Sequence, residues 1–186
     1  WPTRCAPCSS TPTPWPPSGL WTRRPVATPA DLQGLRVRTY DATGTEVLRA
    51  AGAMAEVLSF AEVNARLEAG TLDAVLSSGD GGAGRQLWRW LPNFTELNYA
   101  WPLSLGFASQ ARMAALTPAQ RDAVMQAGGE TEARQWQAIV GRLEANRQVM
   151  RANQVGIHDP DAALQAALRQ AAAGAVAQWR STAGDA

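Results

Sequence analysis

Residues 36–41 place two arginines and three polar side chains in a row, Arg-Val-Arg-Thr-Tyr-Asp. A strand over 35–39 would direct Arg36 and Arg38 to one face and place Arg38 near its carboxyl end. In parallel α/β sheets, ligands bind at this end of the strands. An arginine there can hold a carboxylate through two parallel hydrogen bonds, and a following helix N-terminus adds backbone donors for an anion. The spacing equally fits a solvated arginine or one paired with Asp41.

A second pattern, Gly-x-Gly-x-x-Gly, is formed by Gly79, Gly81 and Gly84 between a strand-like and a helix-like stretch. It formally matches a dinucleotide-binding fingerprint. Such a site also needs an acidic residue about 20 positions on, at the end of a second strand. Glu96 is the approximate match, and it follows a Pro-Asn turn rather than a helix. The other interpretation is a flexible turn that admits close backbone approach.

Missing or rare residue types exclude several kinds of chemistry. All 17 basic residues are arginine, which excludes a lysine Schiff base, a PLP anchor and a Walker A loop. His158 is the one histidine, so multi-histidine metal sites are excluded. It has no nucleophile beside it, so we place it in a surface loop, with Asp159 as a helix cap. Cys5 and Cys8 form a C-x-x-C without a second ligand pair, among prolines, so we expect no metal or redox role. We expect no cofactor.

The composition is ordinary for a soluble globular chain, with 186 residues, 46% hydrophobic and 18% charged. This length predicts one domain or slightly more. The net charge of +1 argues against a polyanionic partner such as nucleic acid. No uncharged run is long enough to insert into a membrane, and no signal peptide is recognisable. Because the chain starts with Trp1 rather than methionine, we expect an upstream part to be missing or processed away.

The elements that must position Arg38 follow from periodicity. Half of the 12 prolines lie in the first 17 positions, so residues 1–21 are expected to be irregular. Downstream, strands over 35–39, 54–58 and 72–76 alternate with helices over 44–51 and 60–69, typical of a parallel sheet with crossover helices. A long helix begins at Thr117 and a last helix follows Asp159. Trp136 and Trp179 lie on the apolar stripes of these helices and are expected in the core.

Several segments, in the right order, resemble the TRAP transporter solute-binding proteins of the DctP family. Residues 28–38, Thr-Pro-Ala-Asp-Leu-Gln-Gly-Leu-Arg-Val-Arg, are similar to the family's TPEDLKGLKIR segment. Further similar segments are Ala-Gly-Ala at 51–53, Leu-Ser-Phe-Ala-Glu-Val at 58–63, Leu-Glu-Ala-Gly-Thr-Leu-Asp-Ala at 67–74, residues 103–110 and the Leu-Thr-Pro-Ala-Gln cap at 116–120. The resemblance covers the chain from about Trp15 to its C-terminus.

The resemblance implies an α/β fold, in which a periplasmic-binding-protein-like lobe with a mostly parallel sheet is joined to a long hinge-spanning helix and C-terminal helices. We expect an irregular segment over 1–21 and an α/β ligand-binding lobe over 22–104. Residues 105–186 would form a connecting strand, the long helix and a helical tail that brace two lobes together. Relative to the family, the chain looks like a fragment that lacks the N-terminal lobe.

The resemblance also implies a function, which is to bind a small organic acid in the periplasm and deliver it to a TRAP membrane permease; it implies no enzymatic activity. The family's carboxylate-gripping arginine falls on Arg38. Phe60 matches a position that often lines the pocket, and Ser77 falls where many members have a ligand-contacting asparagine. Residues 78–82 depart from the family's usual pattern.

The remaining predicted ligand-binding residues are Thr39 and Tyr40, next to the arginine, and Trp15 and Ser18, in a region where many members have a second ligand contact. Trp15 and Tyr40 favour an aromatic or bulky apolar carboxylate. Two alternatives stay open. One is a non-functional truncated remnant with an exposed apolar face on its long helix. The other is an enzyme that binds a dinucleotide through the glycine pattern.

Overall fold

The computed structural model describes residues 11–183, and Cys5 and Cys8 lie outside this range. The helices and strands, in chain order, are β1 Thr11–Pro14, β2 Ser18–Thr22, α1 Pro29–Leu32, β3 Arg36–Thr39, α2 Ala42–Ala50, β4 Met54–Val57, α3 Phe60–Glu68, β5 Ala74–Ser78, α4 Gly79–Ala83, a 3₁₀ turn Leu87–Arg89, β6 Asn93–Thr95, β7 Leu103–Gly106, α5 Gln110–Ala114, α6 Pro118–Ala152, β8 Gly156–His158 and α7 Ala162–Ala183. The α/β class expected from the sequence is confirmed.

The described chain divides into two compact units. The smaller contains residues 11–16 and 101–144, and the larger contains residues 17–100 and 145–183. Helix α6 contributes residues to both. This division differs from the expected boundary near residue 104, because the C-terminal part of the chain belongs with the α/β unit. Leu164 of α7 and Met150 of α6 are both buried in the core of that unit.

The larger unit is built on a six-stranded sheet with the order β4-β3-β5-β2-β6-β8. Strand β3 is parallel to both β4 and β5, and β6 is parallel to β8. Strand β2 is antiparallel to its neighbours β5 and β6. The sheet is therefore mostly parallel. The carboxyl ends of β3 and β5 lie at the same end of the sheet as the start of β2, and we call this end of the strands the carboxyl edge.

Each face of this sheet is covered by an apolar cluster. Alternating strand residues point to opposite faces, so Val37 and Leu76 join one cluster and Val75 joins the other. The first cluster includes Leu32 of α1, Leu48 of α2 and Leu164 of α7. The second includes Trp21, Val63 of α3, Phe94 and Met150 of α6. The sheet is thus held between two helical layers, which fixes the position of its carboxyl edge.

The expectation of an irregular segment over 1–21 is wrong for residues 11–14 and 18–21. Strand β2 is an interior strand and is fully buried, because its five residues contain no proline and place Leu20 and Trp21 in the two opposite cores. Strand β1 contains Pro12 and Pro14, and within residues 11–183 it pairs only with β7. Prolines at alternate positions of such an edge strand remove only backbone donors that face away from its partner.

Two helix starts are confirmed in detail. At α1, the Thr28 backbone N–H and hydroxyl both donate to Asp31 Oδ2, at 2.9 Å each. At α3, the Ser59 hydroxyl donates to Glu62 Oε2 at 2.7 Å, and its backbone N–H donates to the same oxygen at 3.1 Å. These capping boxes satisfy backbone donors that the first turn of a helix leaves unpaired. The second box fixes the start of α3, where Phe60 is the first residue.

Two local expectations near the C-terminus are corrected. His158 lies in strand β8 rather than a loop, and its Nε2 is 3.0 Å from Asn93 Oδ1. The last helix is capped by Asp161, whose carboxylate accepts from the Leu164 backbone N–H, rather than by Asp159.

The expected core tryptophans of the two long helices are exposed. The exposed fraction is 48% for Trp136 and 63% for Trp179. Helical periodicity identifies an apolar stripe, but it does not identify what packs against that stripe.

In the smaller unit, β1 and β7 form a two-stranded antiparallel sheet in which Thr11 pairs with Gly106. The Thr117 hydroxyl accepts a hydrogen bond from the Gln120 backbone N–H at 3.3 Å. The long helix therefore begins where the sequence indicates. Among residues 11–183, no helix has both the length and the apolar character that crossing a membrane requires.

Candidate functional site

Arg38 lies near the carboxyl end of β3, as the alternation of the strand predicts. Its side chain is on the sheet face that packs with Val75, its register partner in β5. The residue is only 4% exposed. The strand and its neighbours therefore hold a guanidinium group inside the larger unit, at the edge where parallel α/β sheets bind ligands.

Two backbone carbonyls orient the Arg38 guanidinium. Nε donates to the Leu58 carbonyl at 2.8 Å, and Nη1 donates to the Leu76 carbonyl at 3.2 Å. Nη2 has no hydrogen-bond partner among the described residues. The fully buried side-chain polar atoms without a partner in the described chain are Thr22 Oγ1 and Asn146 Nδ2. Nη2 is not one of them, so it keeps access to solvent while the rest of the group is anchored.

Arg38 has no carboxylate partner among the described residues. Burial lowers the pKa of its guanidinium below the ordinary value, and the positive charge of Arg85 lowers it further. An arginine stays protonated in proteins even when its pKa falls. The charge of Asp41 opposes this lowering without outweighing it. The edge of the sheet thus carries a buried positive charge that forms no ion pair with any described carboxylate.

Phe60, the first residue of α3, lies beside this charge. The guanidinium carbon of Arg38 is over the Phe60 ring, 4.1 Å from its centroid. The guanidinium carbon of Arg85 is 4.0 Å from the same centroid. The negative face of an aromatic ring attracts a cation, so Phe60 holds both groups without neutralising either.

The carboxyl end of β5 adds two hydroxyl groups with different surroundings. The Ser78 hydroxyl donates to Asp80 Oδ1 at 2.7 Å and accepts from the Gly81 backbone N–H at 3.2 Å. The Ser77 residue is buried, and its hydroxyl has no hydrogen-bond partner in the described part of the chain. Ser77 follows Leu76, whose carbonyl binds Arg38. It is therefore the available hydroxyl at this end of the sheet.

Tyr40 and Ser18 come together at the same edge. The Tyr40 hydroxyl is 3.0 Å from Ser18 Oγ, and the Tyr40 ring meets Tyr99 edge to face with centroids 6.4 Å apart. The Tyr99 hydroxyl in turn donates to Asp41 Oδ1 at 3.2 Å. Burial raises the pKa of Tyr40 above its ordinary value. Tyr40 therefore stays a neutral phenol at physiological pH, with part of its ring exposed.

Asp41 is not the partner of Arg38. Its carboxylate accepts from the Gly44 backbone N–H and from the Tyr99 hydroxyl, so it caps α2. The sequence left open whether Asp41 would pair with this arginine. The helix cap accounts for the aspartate and leaves the arginine without a carboxylate.

Two of the predicted residues lie elsewhere. Thr39 is completely buried on the opposite face of β3, where its hydroxyl bonds with Thr45 and with the Glu56 carbonyl. Trp15 belongs to the smaller unit, and its indole Nε1 donates to Ser104 Oγ at 2.7 Å. The structure thus brings together Arg38, Phe60 and Ser77, with Tyr40 and Ser18 at the same edge.

The glycine pattern does not form a dinucleotide-binding unit. Gly79–Ala83 is a helix of five residues, not the long crossover helix that the fingerprint requires. The strands before and after it, β5 and β6, lie on either side of β2 instead of side by side. Glu96 is bound by Arg147 through two contacts of 2.9 and 3.0 Å. The glycines instead permit close packing, because a Cβ on Gly82 would lie 2.2 Å from the Trp21 indole.

Sequence reasoning missed Arg85. The residue follows α4 in a segment without periodicity, so no local pattern points to it. Its contact with Phe60 arises from tertiary packing. One feature of the sequence could have pointed to Arg85. It lies a few residues beyond the carboxyl end of β5, and ligand contacts in parallel sheets concentrate beyond the carboxyl ends of the strands.

Comparison with known proteins identifies one family and a set of structures with the same fold. Residues 19–182 match the DctP family, described as bacterial extracellular solute-binding protein, family 7. DctP7, a Bordetella pertussis extracytoplasmic solute receptor that binds pyroglutamic acid, is 29% identical with a TM-score of 0.85, and the match covers 93% of this chain and 57% of DctP7.

Two other solved structures extend this picture. A marine metagenome TRAP solute-binding protein specific for pyroglutamate is 25% identical with a TM-score of 0.83, covering 95% of this chain and 58% of that protein. The ectoine-binding protein of the TeaABC TRAP transporter of Halomonas elongata is 19% identical with a TM-score of 0.82, covering 94% and 58%. The latter shows the fold alone. The chain thus spans a little under three fifths of these structures, and comparison with curated proteins finds no match.

Proposed function

The chain belongs to the bacterial extracellular solute-binding proteins of family 7, and on that premise we propose that it binds a small organic carboxylate through Arg38. In this proposal it acts as the solute-binding component of a TRAP transporter, works in the periplasm and delivers its ligand to the membrane permease. It binds without catalysing a reaction. Two similar structures bind pyroglutamate, which carries one carboxylate.

The observation that carries the proposal is the buried, unneutralised guanidinium of Arg38. Burying a charge without an ionic partner is costly. The two carbonyls that hold Arg38 supply hydrogen bonds but no negative charge. A ligand carboxylate would neutralise the guanidinium and accept from Nη2, the donor that remains available. Charge-assisted hydrogen bonds of this kind are among the strongest that proteins make.

The neighbouring residues fit a site for a small acid. The Ser77 hydroxyl lacks a partner and can bond to a ligand oxygen. Phe60 provides an apolar wall that also holds the guanidinium of Arg38 in place. Tyr40 offers an exposed part of its ring next to the Ser18 hydroxyl. We therefore assign the carboxylate to Arg38 and Ser77, and the remaining ligand surface to Phe60, Tyr40 and Ser18. A ligand role of Thr39 or Trp15 stays a prediction from the sequence.

A cavity of about 440 Å³ elsewhere in the larger unit is not part of this proposal. It is bounded by Leu48, Tyr99 and Leu168, with Glu96 and Arg169 among its charged residues. Glu96 is already engaged by Arg147. The other charged lining residues, Asp159 and Arg169, are exposed. The cavity therefore lacks a buried charge of the kind that distinguishes the edge around Arg38.

The test is calorimetric titration of the 186-residue chain with L-pyroglutamate and with its amide, which lacks the negative charge. We expect the acid to bind and the amide not to. Arg38→Gln should weaken binding by a factor of about 30 or more, since losing a buried charged contact costs about 2–5 kcal/mol. Arg36→Gln is the matched control, because Arg36 lies on the same face of β3 and is already paired with Asp73.

The outcomes separate the competing interpretations. Equal affinity of wild type and Arg38→Gln for the acid would remove Arg38 from the site. An absence of binding to pyroglutamate and to a panel of other small carboxylates, by a chain that unfolds cooperatively, would overturn the proposal and favour the non-functional remnant. Circular dichroism of each variant checks that the fold is retained.

A further inference from the structure

The cavity of about 440 Å³ lies within the larger unit, and its lining includes Leu76, which faces the opposite side of the sheet from Arg38. We propose that this cavity is a second binding site, which takes a free amino acid with an apolar side chain. The inference goes beyond the proposed function, because it uses none of the residues assigned to the carboxylate at Arg38. It rests on the floor of the cavity, on one anchored wall and on two charges at the rim.

The floor of the cavity is apolar. Leu48 of α2 and Leu76 of β5 are buried in the core of the larger unit. Leu97 and Leu168 of α7 also line the cavity and are only partly buried against that core. The volume falls in the range of about 300–1,000 Å³ that small-molecule sites have, and such sites are lined mainly by apolar side chains. An apolar ligand side chain would therefore remove leucine surface from water, which favours binding.

One wall of the cavity, from Glu96 to Tyr99, is anchored at both ends. The Glu96 backbone N–H donates to the His158 carbonyl at 2.9 Å. The Tyr99 backbone N–H donates to the Ser18 carbonyl, also at 2.9 Å. The Tyr99 hydroxyl donates to Asp41 Oδ1 at 3.2 Å, which fixes the ring. The cavity is therefore a preformed feature of the fold.

Asn98 gives this wall an irregular backbone. Its φ is 51°, in the left-handed region that residues other than glycine adopt uncommonly. Consecutive residues of a regular strand point to opposite sides, and the left-handed turn breaks that alternation, so that residues 96–99 all line the cavity. The Asn98 side chain is exposed and forms no hydrogen bond with any residue that the structure describes. It is therefore available to a polar group of a ligand.

The rim carries two charges of opposite sign. Arg169 of α7 and Asp159 are both exposed, and neither forms a hydrogen bond or an ion pair with the other or with any other residue that the structure describes. The third charged residue of the lining, Glu96, is already held by Arg147 at 2.9 Å. The described part of the rim therefore offers one cation and one anion to a ligand.

These features define the ligand as a zwitterion with an apolar side chain. Its carboxylate would bind to Arg169, its ammonium group would bind to Asp159, and its side chain would lie on the leucines of the floor. A zwitterion gains both electrostatic attractions, whereas a molecule with one charge gains only one of them. The α-amino acids leucine and phenylalanine carry all three parts.

The test is calorimetric titration of the 186-residue chain at pH 7.0 with L-leucine and L-phenylalanine. Three further probes each lack one part of the ligand: L-leucinamide lacks the carboxylate, 4-methylpentanoate lacks the ammonium group, and glycine lacks the side chain. We expect at least one of the two amino acids to bind about tenfold more tightly than each of these three, the scale of one charged hydrogen bond. Equal affinity for any of the three would overturn the inference.

Two pairs of variants locate the site. Ala172→Phe should abolish binding, because Ala172 lines the cavity and a larger side chain would fill it. Ala173→Phe is the matched control, because Ala173 is exposed and does not belong to the lining. Arg169→Gln should weaken binding about tenfold, and Arg180→Gln, exposed on the same helix, should leave it unchanged. Circular dichroism of each variant checks that the fold is retained, and unchanged binding in a folded Ala172→Phe would overturn the inference.

Arg38→Gln distinguishes this site from the proposed carboxylate site. An amino acid also carries a carboxylate, so the alternative is that it binds at Arg38. We expect Arg38→Gln to retain the affinity for the amino acid while it loses affinity for pyroglutamate. Loss of amino-acid binding in Arg38→Gln, without an effect of Ala172→Phe, would overturn this inference and leave the proposed function in place.

Two other outcomes would overturn the inference. One is the absence of binding by both amino acids, whether or not pyroglutamate binds. The other is a dimer, measured by sedimentation, that Ala172→Phe disrupts and the amino acids do not. That result would assign the cavity to a second copy of the chain.

Discussion

The two ends of strand β3 carry the same residue in opposite electrostatic situations. At the amino end, Arg36 forms a two-pronged ion pair in which Nε and Nη2 each donate to an Asp73 oxygen at 2.6 Å. At the carboxyl end, Arg38 lies on the same face but donates only to backbone carbonyls. The positive charge at the amino end of β3 is neutralised by an ion pair within the protein, and the positive charge at the carboxyl end has no ionic partner.

The difference arises from the neighbouring strand. Asp73 directly precedes β5, at the height where β3 begins with Arg36. The next β5 residues on that face are Val75, opposite Arg38, and then Ser77, neither of which is acidic. A single carboxylate on β5 beyond Val75 would have made the two edges alike. The comparison shows that the missing countercharge, more than the arginine itself, distinguishes the proposed binding edge from the structural one.

The largest expected effect tests whether the carboxyl edge rests on a rigid base. Gly82→Ala would place a Cβ 2.2 Å from the Trp21 indole. We expect the free energy of unfolding to fall by about 1–3 kcal/mol, as for overpacked cores. Urea unfolding measures it. Gly174→Ala, in α7 with nothing within 4 Å of the new Cβ, is the control and should be slightly stabilising. Similar changes in the free energy of unfolding for both variants would show that α4 can shift at little energetic cost to accommodate the added Cβ.

A smaller expected effect on stability tests the amino end of β3, where Asp73 neutralises Arg36. The Arg36 guanidinium lowers the pKa of Asp73 below its ordinary value of 3.8, so the folded protein holds this proton less tightly than the unfolded chain. The stabilisation is then present above pH 3.8 and is lost as the pH falls through the lower folded-state pKa. Asp73→Asn should cost about 1 kcal/mol at pH 7, because the pair is partly exposed.

The pH dependence sharpens this test. The difference in free energy of unfolding between wild type and Asp73→Asn should shrink as the pH is lowered from 5 towards 2, measured by urea titration at each pH. Glu130→Gln is the control, since the Glu130 pair with Arg134 is fully on the surface at 3.7 Å, and it should change little at any pH. A constant difference for Asp73→Asn would assign its effect to packing rather than charge.

The smallest expected effect concerns stability at the proposed binding edge, where the sign of the change in free energy of unfolding is the informative result. Arg38→Met removes a buried, unneutralised charge, so the free energy of unfolding should stay the same or rise by about 1 kcal/mol. Arg36→Met should lower it, because that change leaves Asp73 without its partner. Thermal unfolding of the two variants gives the comparison. A clear loss of stability in Arg38→Met would show that its carbonyl contacts outweigh the cost of burying the charge, and the two edges would then be alike.

The central part of the fold could be predicted from the sequence because its signals are local. The strand–helix alternation from β3 to β5 follows from period-two and helical patterns, and the capping boxes at Thr28 and Ser59 mark helix starts. The interior strand β2 could not be recognised. Its pairing with β5 and β6 joins residues more than 50 positions apart, and the prolines before it dominate the local pattern.

The residues of the candidate site also divide into those that the sequence could predict and one that it could not. Arg38 was identifiable because an arginine near the end of a parallel strand has a positional meaning, and Phe60 and Ser77 followed from the family resemblance. The burial of Thr39 follows from the same alternation that orients Arg38, since neighbouring strand residues point to opposite faces. Arg85 was invisible, because its position over Phe60 depends on how α4 packs against Trp21.

The strand order also constrains when the larger unit can fold as the chain emerges from the ribosome. Strand β8, at residues 156–158, pairs with β6, and Leu164 of α7 fills the same core as Leu20 of β2. The first strand of the unit, β2, can therefore complete its core packing only after residues about 140 positions later have been synthesised. Contacts of such long sequence separation slow folding. The core of this unit therefore stays incomplete until residues 156–164 have been synthesised.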